Sequence, residues 1–301
     1  MQIGIDLGAT KIESVVLSEE GRELYREREQ SPNNYLETLN SIKLIVNKIE
    51  KRFNNKFSVG VCHPGSSSTG NSLIKNAHNS PWLNNKNLNL DLSKALNKNV
   101  FCENDANCFA LSESIDGSAK HYKIVFGIIL GSGCGGGLII NKKIISGPNN
   151  LAGEWGHNSL PLPGTLPDEK SNNIKDMSIE NFISGKGLEK LFFKKFNEKF
   201  SAHDIFHKTN KNPQYKKFID DFKNRLARSL TLLINTIDPD AIVFGGGLSN
   251  EIVFLDEIKK MTEKFITEKE LNTVFLKPEY GDASGVRGAT ILARNKIYLY
   301  Y

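Results

Sequence analysis

Cysteine is scarce in this chain of 301 residues, and Cys62, Cys102, Cys108 and Cys134 include no Cys-x-x-Cys pair. Each lies in an apolar or glycine-rich segment, so buried thiols are expected rather than a disulfide framework. No run approaches the roughly 20 apolar residues of a membrane span. Met1 leads straight into strand-like sequence, without a charged-then-apolar leader. A cytoplasmic location and no membrane partner are the expectation. Charge of one sign is also missing: 39 Lys and Arg face 34 Asp and Glu, a scattered balance of +5 that argues against nucleic acid. The Lys pairs at 194–195 and 216–217 sit among apolar residues at helical spacing and read as solvated faces. No Gly-x-x-x-x-Gly-Lys-Ser/Thr occurs, and no glycine fingerprint opens a Rossmann unit. A short-period repeat and low-complexity sequence are absent too.

What is there suits a soluble globular chain, with 39% apolar and 24% charged residues and length enough for two domains with separate cores. Residues 2–7, QIGIDL, alternate as a strand, and KIESVVLSE resumes after a turn at Gly8-Ala9-Thr10, giving a β-hairpin. A third strand is expected near 23–28. Leu36, Leu39, Ile42, Ile45, Val46 and Ile49 recur at helical intervals over 35–53. FSVGVCHPG reads as a strand. KIVFGIIL, the turn GSGCGGG and LIINKKIIS then restate the strand, glycine turn, strand pattern. A long helix is expected from about Ser178 and another from about Tyr215 to Ile237, with an irregular loop over 161–176.

Three glycine clusters stand at strand ends: Gly8 with Thr10 and Lys11; Gly131, Ser132, Gly133, Gly135, Gly136 and Gly137; and Gly245, Gly246 and Gly247. Each is by itself explained by turn sterics. Together they suit phosphate, because glycine lets backbone N–H groups form an anion-binding concavity and Thr10 or Ser132 adds a hydroxyl. FCENDANCFALSES poses a separate question. Asn104 and Asp105 before Phe109 and Leu111 are the residues that cap a helix, yet a carboxylate there also suits a general base.

The segments IGIDLGATK, NDANCFALSE, LGSGCGGGLI, GEWGHNSLP, IDPDAIVFGGGLSN and YGDASGVRGA, in that order from Gly4 to about Leu292, resemble the ROK family of repressors and sugar kinases. The resemblance implies an α/β protein of the actin-like, hexokinase-like ATPase fold (ribonuclease H-like), with two related domains around a cleft. Residues 1–118 would form the small domain, with a C-terminal helix of about 285–301 packed back on it together with the terminal KIYLYY. Residues 119–284 would form the large one. ATP and Mg²⁺ are the implied cofactors. Gly8, Thr10 and Lys11 would make one phosphate element, and Gly131, Ser132, Gly133 and Gly135 another. Gly245, Gly246, Gly247 and Ser249 would lie along the adenosine, with Asp6 facing Mg²⁺ through water. Asn104 and Asp105 would meet the sugar, Asp105 as the base for the attacking hydroxyl. Glu154, His157 and Glu180 match further sugar ligands. Gly65 and Asn79 match sugar-side loops, with Asn76 or His78 as the alternative to Asn79. A homodimer is implied as well.

Most ROK kinases carry a Cys-x-Cys-Gly-x-x-Gly-Cys cluster that binds zinc with the histidine matching His157. SLPLPGTLPDEKSNNIKDMSIE contains no cysteine, so no structural zinc is expected there. Another group would then have to orient the His157 ring. The implied activity is transfer of the ATP γ-phosphoryl group to the 6-hydroxyl of a hexose. IKNAHNSPWLN, EWGHNSLP and GDASGVRGA favour fructose, whereas NDANCFALSE and GGGLI fit N-acetylglucosamine kinases equally. A glucose kinase and a non-catalytic sugar sensor or regulator are the alternatives.

Overall fold

A computed structural model of the chain describes residues 1–169, 173–208, 212–252, 254–267, 270–294 and 299–300. They form two compact units: the described residues of Met1–His121, Gly137–Ala152 and Ala283–Tyr301, and those of Tyr122–Gly136 and Gly153–Asp282. The first unit therefore takes residues 137–152, which the sequence reading assigned to the second domain.

The first unit opens with β1 (Gln2–Leu7), β2 (Lys11–Leu17) and β3 (Glu23–Gln30), an antiparallel meander. Helix α1 (Tyr35–Phe53) follows, then β4 (Ser58–His63), the ribbon strands β5 (Ser66–Ser67) and β6 (Ile74–Lys75), and α2 (Leu88–Leu96). Strand β7 (Val100–Asn104) runs directly into α3 (Asp105–Ile115). The sheet order is β3-β2-β1-β4-β7, with β1, β4 and β7 parallel.

Local chemistry explains α1. Asn34 Oδ1 accepts from Glu37 N–H at 3.0 Å, and Asn54 ends the helix at φ 47°. Its Ile42, Ile45, Val46 and Ile49 are fully or nearly fully buried in one cluster with Ile3, Ile5, Val59 and Val61. Leu36, counted on that face from sequence, is 77% exposed, because it lies in the first turn and off the buried stripe.

The second unit begins with β8 (Ile124–Leu130), and β9 (Cys134–Ile140) crosses from it into the first at Gly136. Gly135, Gly136 and Gly137 are thus strand residues, and the turn proper is 131–133. Strand β10 (Lys143–Ile145) pairs with the end of β9 inside the first unit. The helix expected from Ser178 is two: α4 (Glu180–Ile183) and α5 (Gly185–Phe196). They divide at Ser184, whose extended backbone lets its Oγ accept from Gly187 N–H at 3.1 Å. Then come α6 (Ala202–Lys208), α7 (Pro213–Ile237), β11 (Ala241–Gly245), α8 (Leu255–Glu263) and β12 (Val274–Leu276). Strand β11 lies between β8 and β12, parallel to both.

The segment expected as an irregular loop is anchored, apart from 170–172, which lie outside the described residues. Its Glu169 is buried and paired with the fully buried Arg225 and Arg228 of α7, Arg225 Nε donating at 3.1 Å. Arg228 Nη1 also donates to the carbonyls of Pro161 and Leu162, each at 2.8 Å.

The chain returns to the first unit in α9 (Ser284–Arg294). A Cβ on Gly288 would stand 1.8 Å from the Cys108 carbonyl oxygen, and one on Gly60 1.9 Å from that of Ala289. Glycine is needed at both, and the close approach seats α9 against β4 and α3. Ser284 Oγ donates to Glu113 at 2.6 Å, and Arg287 pairs with Asp116 at 2.7 Å. The described part of α9 ends at Arg294, and residues 299–300, expected in the same helix, form a strand instead. Strand β13 (Leu299–Tyr300) pairs in parallel with β10, while residues 296–298 and 301 of KIYLYY lie outside the described residues.

Candidate active site

In the first unit, register brings the polar residues together. Asp6 is the partner of Cys62 across β1 and β4, Cys62 the partner of Glu103 and His63 that of Asn104 across β4 and β7. Three parallel strands therefore end side by side with Asp6, His63 and Asn104 at their carboxyl ends, where open α/β sheets hold ligands.

The structure divides the work of Asn104 and Asp105. Asn104 is the cap: its Oδ1 accepts from the N–H groups of Ala106 (2.8 Å) and Asn107 (3.3 Å). Its Nδ2 donates to the Gly65 carbonyl at 2.8 Å, joining the two predicted residues. Gly65 has φ +82°, and a Cβ there would meet the Lys75 carbonyl oxygen at 2.4 Å. Asp105 is the first helical residue, half-buried, and accepts from Ala106 N–H at 2.8 Å. Glu103, which sequence reasoning missed, accepts from Asn104 N–H (2.8 Å) and Asn107 Nδ2 (3.1 Å), and burial pushes its carboxyl above the ordinary range. Asn79 is exposed in the turn before Pro81.

Asp6 is half-buried. Burial raises its carboxyl above the usual range, opposed by a hydrogen bond from Cys62 Sγ at 3.3 Å and reinforced by the nearby Glu13 charge. Gly8 N–H donates to the Lys11 carbonyl at 3.0 Å, leaving Thr10 and Lys11 exposed at the hairpin tip.

In the second unit, Gly131 N–H closes its turn on the Gly133 carbonyl at 3.0 Å, and Gly185 N–H donates to the Gly131 carbonyl at 2.7 Å. Glu180 accepts from Cys134 N–H at 2.8 Å, so the residue matched to a sugar ligand also holds the base of this turn. Gly135 accepts from Trp155 Nε1 at 3.1 Å. Gly246 has φ +86°, and Ser249 Oγ donates to its carbonyl at 2.6 Å, closing the turn that starts at Gly247. Gly131, Ser132 and Gly247 line one cavity of about 640 Å³. Gly185, Lys186, His203 and Glu251 share that lining and were missed. The motif Ser184-Gly185-Lys186-Gly187, a cap followed by glycines, was the available signal. The cavity and its glycine-lined wall fit a nucleotide. A single half-buried carboxylate at Asp6 fits Mg²⁺, which keeps several waters and takes one or two protein oxygens.

Glu154 precedes and His157 ends a 3-10 turn, Trp155–His157, with Glu154 Oε2 3.9 Å from His157 Nδ1, ion-pair range rather than a hydrogen bond. The stretch after His157 is joined to the one before Glu180 through the backbone. Leu160 N–H donates to Met177 and Ile179 N–H to Asn158, each at 2.8 Å, around a Ser159–Ser178 bridge. This short antiparallel pairing ties His157 and Glu180 into one local framework.

The ROK family model matches residues 2–296, and the chain belongs to the ROK family. It is 36% identical over 304 residues to an N-acetyl-D-glucosamine kinase of Pectobacterium carotovorum, covering 97% of this chain and 98% of that one. It is 37% identical over 309 residues to that of Mannheimia succiniciproducens, covering 98% and 100%. Among solved structures, the ROK hexokinase of Thermus thermophilus superposes with a TM-score of 0.86 at 22% identity, covering 97% of each chain. The ROK glucokinase of Streptomyces griseus, in complex with glucose and AMPPNP, gives 0.76 at 25%, covering 97% and 99%. The fold is the actin-like, hexokinase-like ATPase fold, and the protein is a sugar kinase. Fructose, favoured from sequence, is not supported by these relatives, which include N-acetyl-D-glucosamine kinases. No helix among the described residues is long and apolar enough to cross a membrane.

Proposed function

We propose that the protein is an ATP-dependent N-acetylglucosamine kinase acting on the 6-hydroxyl. The identity of 36–37% to N-acetyl-D-glucosamine kinases along nearly the whole chain supports that sugar over fructose. The observation that carries the catalytic reading is the Asn104 cap. Because Asn104 satisfies the N-terminus of α3 and grips Gly65, Asp105 is held beside Asn104 at the strand ends.

In this reading Asp105 orients the sugar hydroxyl and takes its proton as the new O–P bond forms and the β–γ bridging bond breaks, releasing ADP. Mg²⁺, when bound, supplies charge neutralisation on the phosphoryl oxygens, and Asp6 would hold it through water. Gly65, Asn79, Asn104, Glu154, His157 and Glu180 are the proposed sugar ligands. Gly8, Thr10 and Lys11, the turn from Gly131 to Gly133 with Gly135, and Gly245 to Gly247 with Ser249 are the proposed nucleotide elements. The reading includes no structural zinc at His157, a homodimer and a cytoplasmic location.

The test is ATP turnover with Mg²⁺ against N-acetylglucosamine, N-acetylmannosamine, glucose, mannose and fructose, with Asp105→Asn alongside. The expected result is fastest turnover of N-acetylglucosamine, lost in the variant. A faster rate with fructose would reverse the assignment of sugar. Sugar binding without turnover in wild-type protein would point to a sensor instead.

A further inference from the structure

A cluster of metal-ligating side chains, none of them matched to the phosphotransfer site, lies on the wall of the second unit's cavity. His203 and His207 are one turn apart on α6, and Glu251 ends the 3-10 turn Gly247–Glu251. One ligand atom from each lies within 4.8 Å of the others. His203 Nδ1 is 2.5 Å from Glu251 Oε1, and His207 Nε2 is 3.5 Å from Oε2. Metal–ligand bonds of about 2.0–2.1 Å in a tetrahedral centre set ligand atoms about 3.4 Å apart, so small rotamer changes suffice.

The supports are packed, while the two imidazoles face solvent. Ile205 between the histidines is fully buried, and Ala202 N–H donates to Glu189 at 2.9 Å. Leu248 and Ile252 bury the other side, where Ser249 N–H is bonded to the Gly246 carbonyl at 3.0 Å. The two imidazoles, both more than half exposed, are open to an ion from solution. Two imidazoles and a carboxylate suit Zn²⁺ rather than Mg²⁺, and three protein ligands leave a fourth position for water.

We propose that His203, His207 and Glu251 form a Zn²⁺ site that ties α6 to the turn after β11 and braces the cavity. The bracing part rests on the reading of that cavity as the nucleotide pocket, since His203 and Glu251 line it together with Gly131, Ser132 and Gly247. The site is distinct from the family's cysteine-and-histidine centre, whose histidine matches His157.

The test uses untagged, chelator-stripped protein titrated with Zn²⁺ alone. One equivalent is expected to bind and to raise Tm, with no such rise from Mg²⁺ at equal concentration. His203→Asn with His207→Asn abolishes both effects, Glu251→Gln weakens Zn²⁺ at least about tenfold, and His157→Asn leaves binding intact. Binding retained in the double variant, or no wild-type binding above it, overturns the site. ADP titrations with and without Zn²⁺ then read the brace: a change in affinity confined to wild type is expected, and an unchanged affinity overturns the bracing. Failure of ADP to bind at all would instead count against the nucleotide reading, leaving the Zn²⁺ titration to stand on its own.

Discussion

The turn between β1 and β2 and the turn between β8 and β9 use the same kinds of residue, yet they are held differently. The first closes through Gly8 N–H and takes one backbone bond, from Ser31 N–H to the Thr10 carbonyl at 3.0 Å. The second is fixed from α4 and α5 by Glu180 and by Gly185 N–H. A turn closed by its own backbone leaves the exposed Thr10 and Lys11 side chains to adjust around a ligand. A turn gripped by a side-chain carboxylate forms a wall before the ligand arrives, lowering the ordering cost of binding. The same contrast extends outward: charge at the carboxyl ends of β1 and β7 is proposed to serve chemistry, whereas charge at Glu169, Arg225 and Arg228 holds a loop.

The largest effects should separate those two uses of charge. Asp105→Asn is expected to lower kcat by about 10²-fold or more with little change in Tm, by steady-state kinetics and calorimetry. Arg228→Ala should do the reverse, removing about 3–5 kcal/mol in urea unfolding because Glu169 is left buried beside one arginine instead of two. A large loss of stability in the first, or none in the second, would erase the distinction.

A smaller effect probes the grip on the second turn. A Cβ on Gly133 would stand 2.8 Å from Glu180 Oε2, whereas one on Gly131 meets nothing within 4 Å. Gly133→Ala should therefore cost about 1–3 kcal/mol and raise the KM for ATP, while Gly131→Ala leaves Tm nearly unchanged. Equal behaviour of the two alanines would show that Glu180 does not constrain the turn.

The smallest effect is on pH dependence in the first unit. Burial holds the Asp6 carboxyl above its ordinary range, so the folded chain binds that proton more tightly than the unfolded chain. The resulting stability is fully present below the unfolded carboxylate value of about 3.9 and is lost as pH rises through the higher folded value. Without Mg²⁺, Asp6→Asn should melt above wild type at neutral pH, with the gap closing as pH falls. A variant melting below wild type across that range would contradict the burial argument.

Much of this was legible in the sequence where the signal was local. Alternation in QIGIDL, the helical spacing from Tyr35 to Phe53 and the Ser-free apolar run of β8 follow from side-chain direction along a strand or helix, which the chain sets by itself. Asn104 and Asp105 were visible for the same reason, since a cap acts on residues two or three positions away. Tertiary structure decided which of the pair does the capping, because the bond from Asn104 to Gly65 spans 39 positions. It also broke the expected helix at Ser184, put Leu299–Tyr300 in a strand, and set Arg225 and Arg228 under a loop whose composition read as irregular. Glu251, 48 positions from His203, carries no local pattern that would pair it with the two histidines. That pairing is supplied by the packing of α6 against the 3-10 turn Gly247–Glu251, and no periodicity within a segment encodes such a distance.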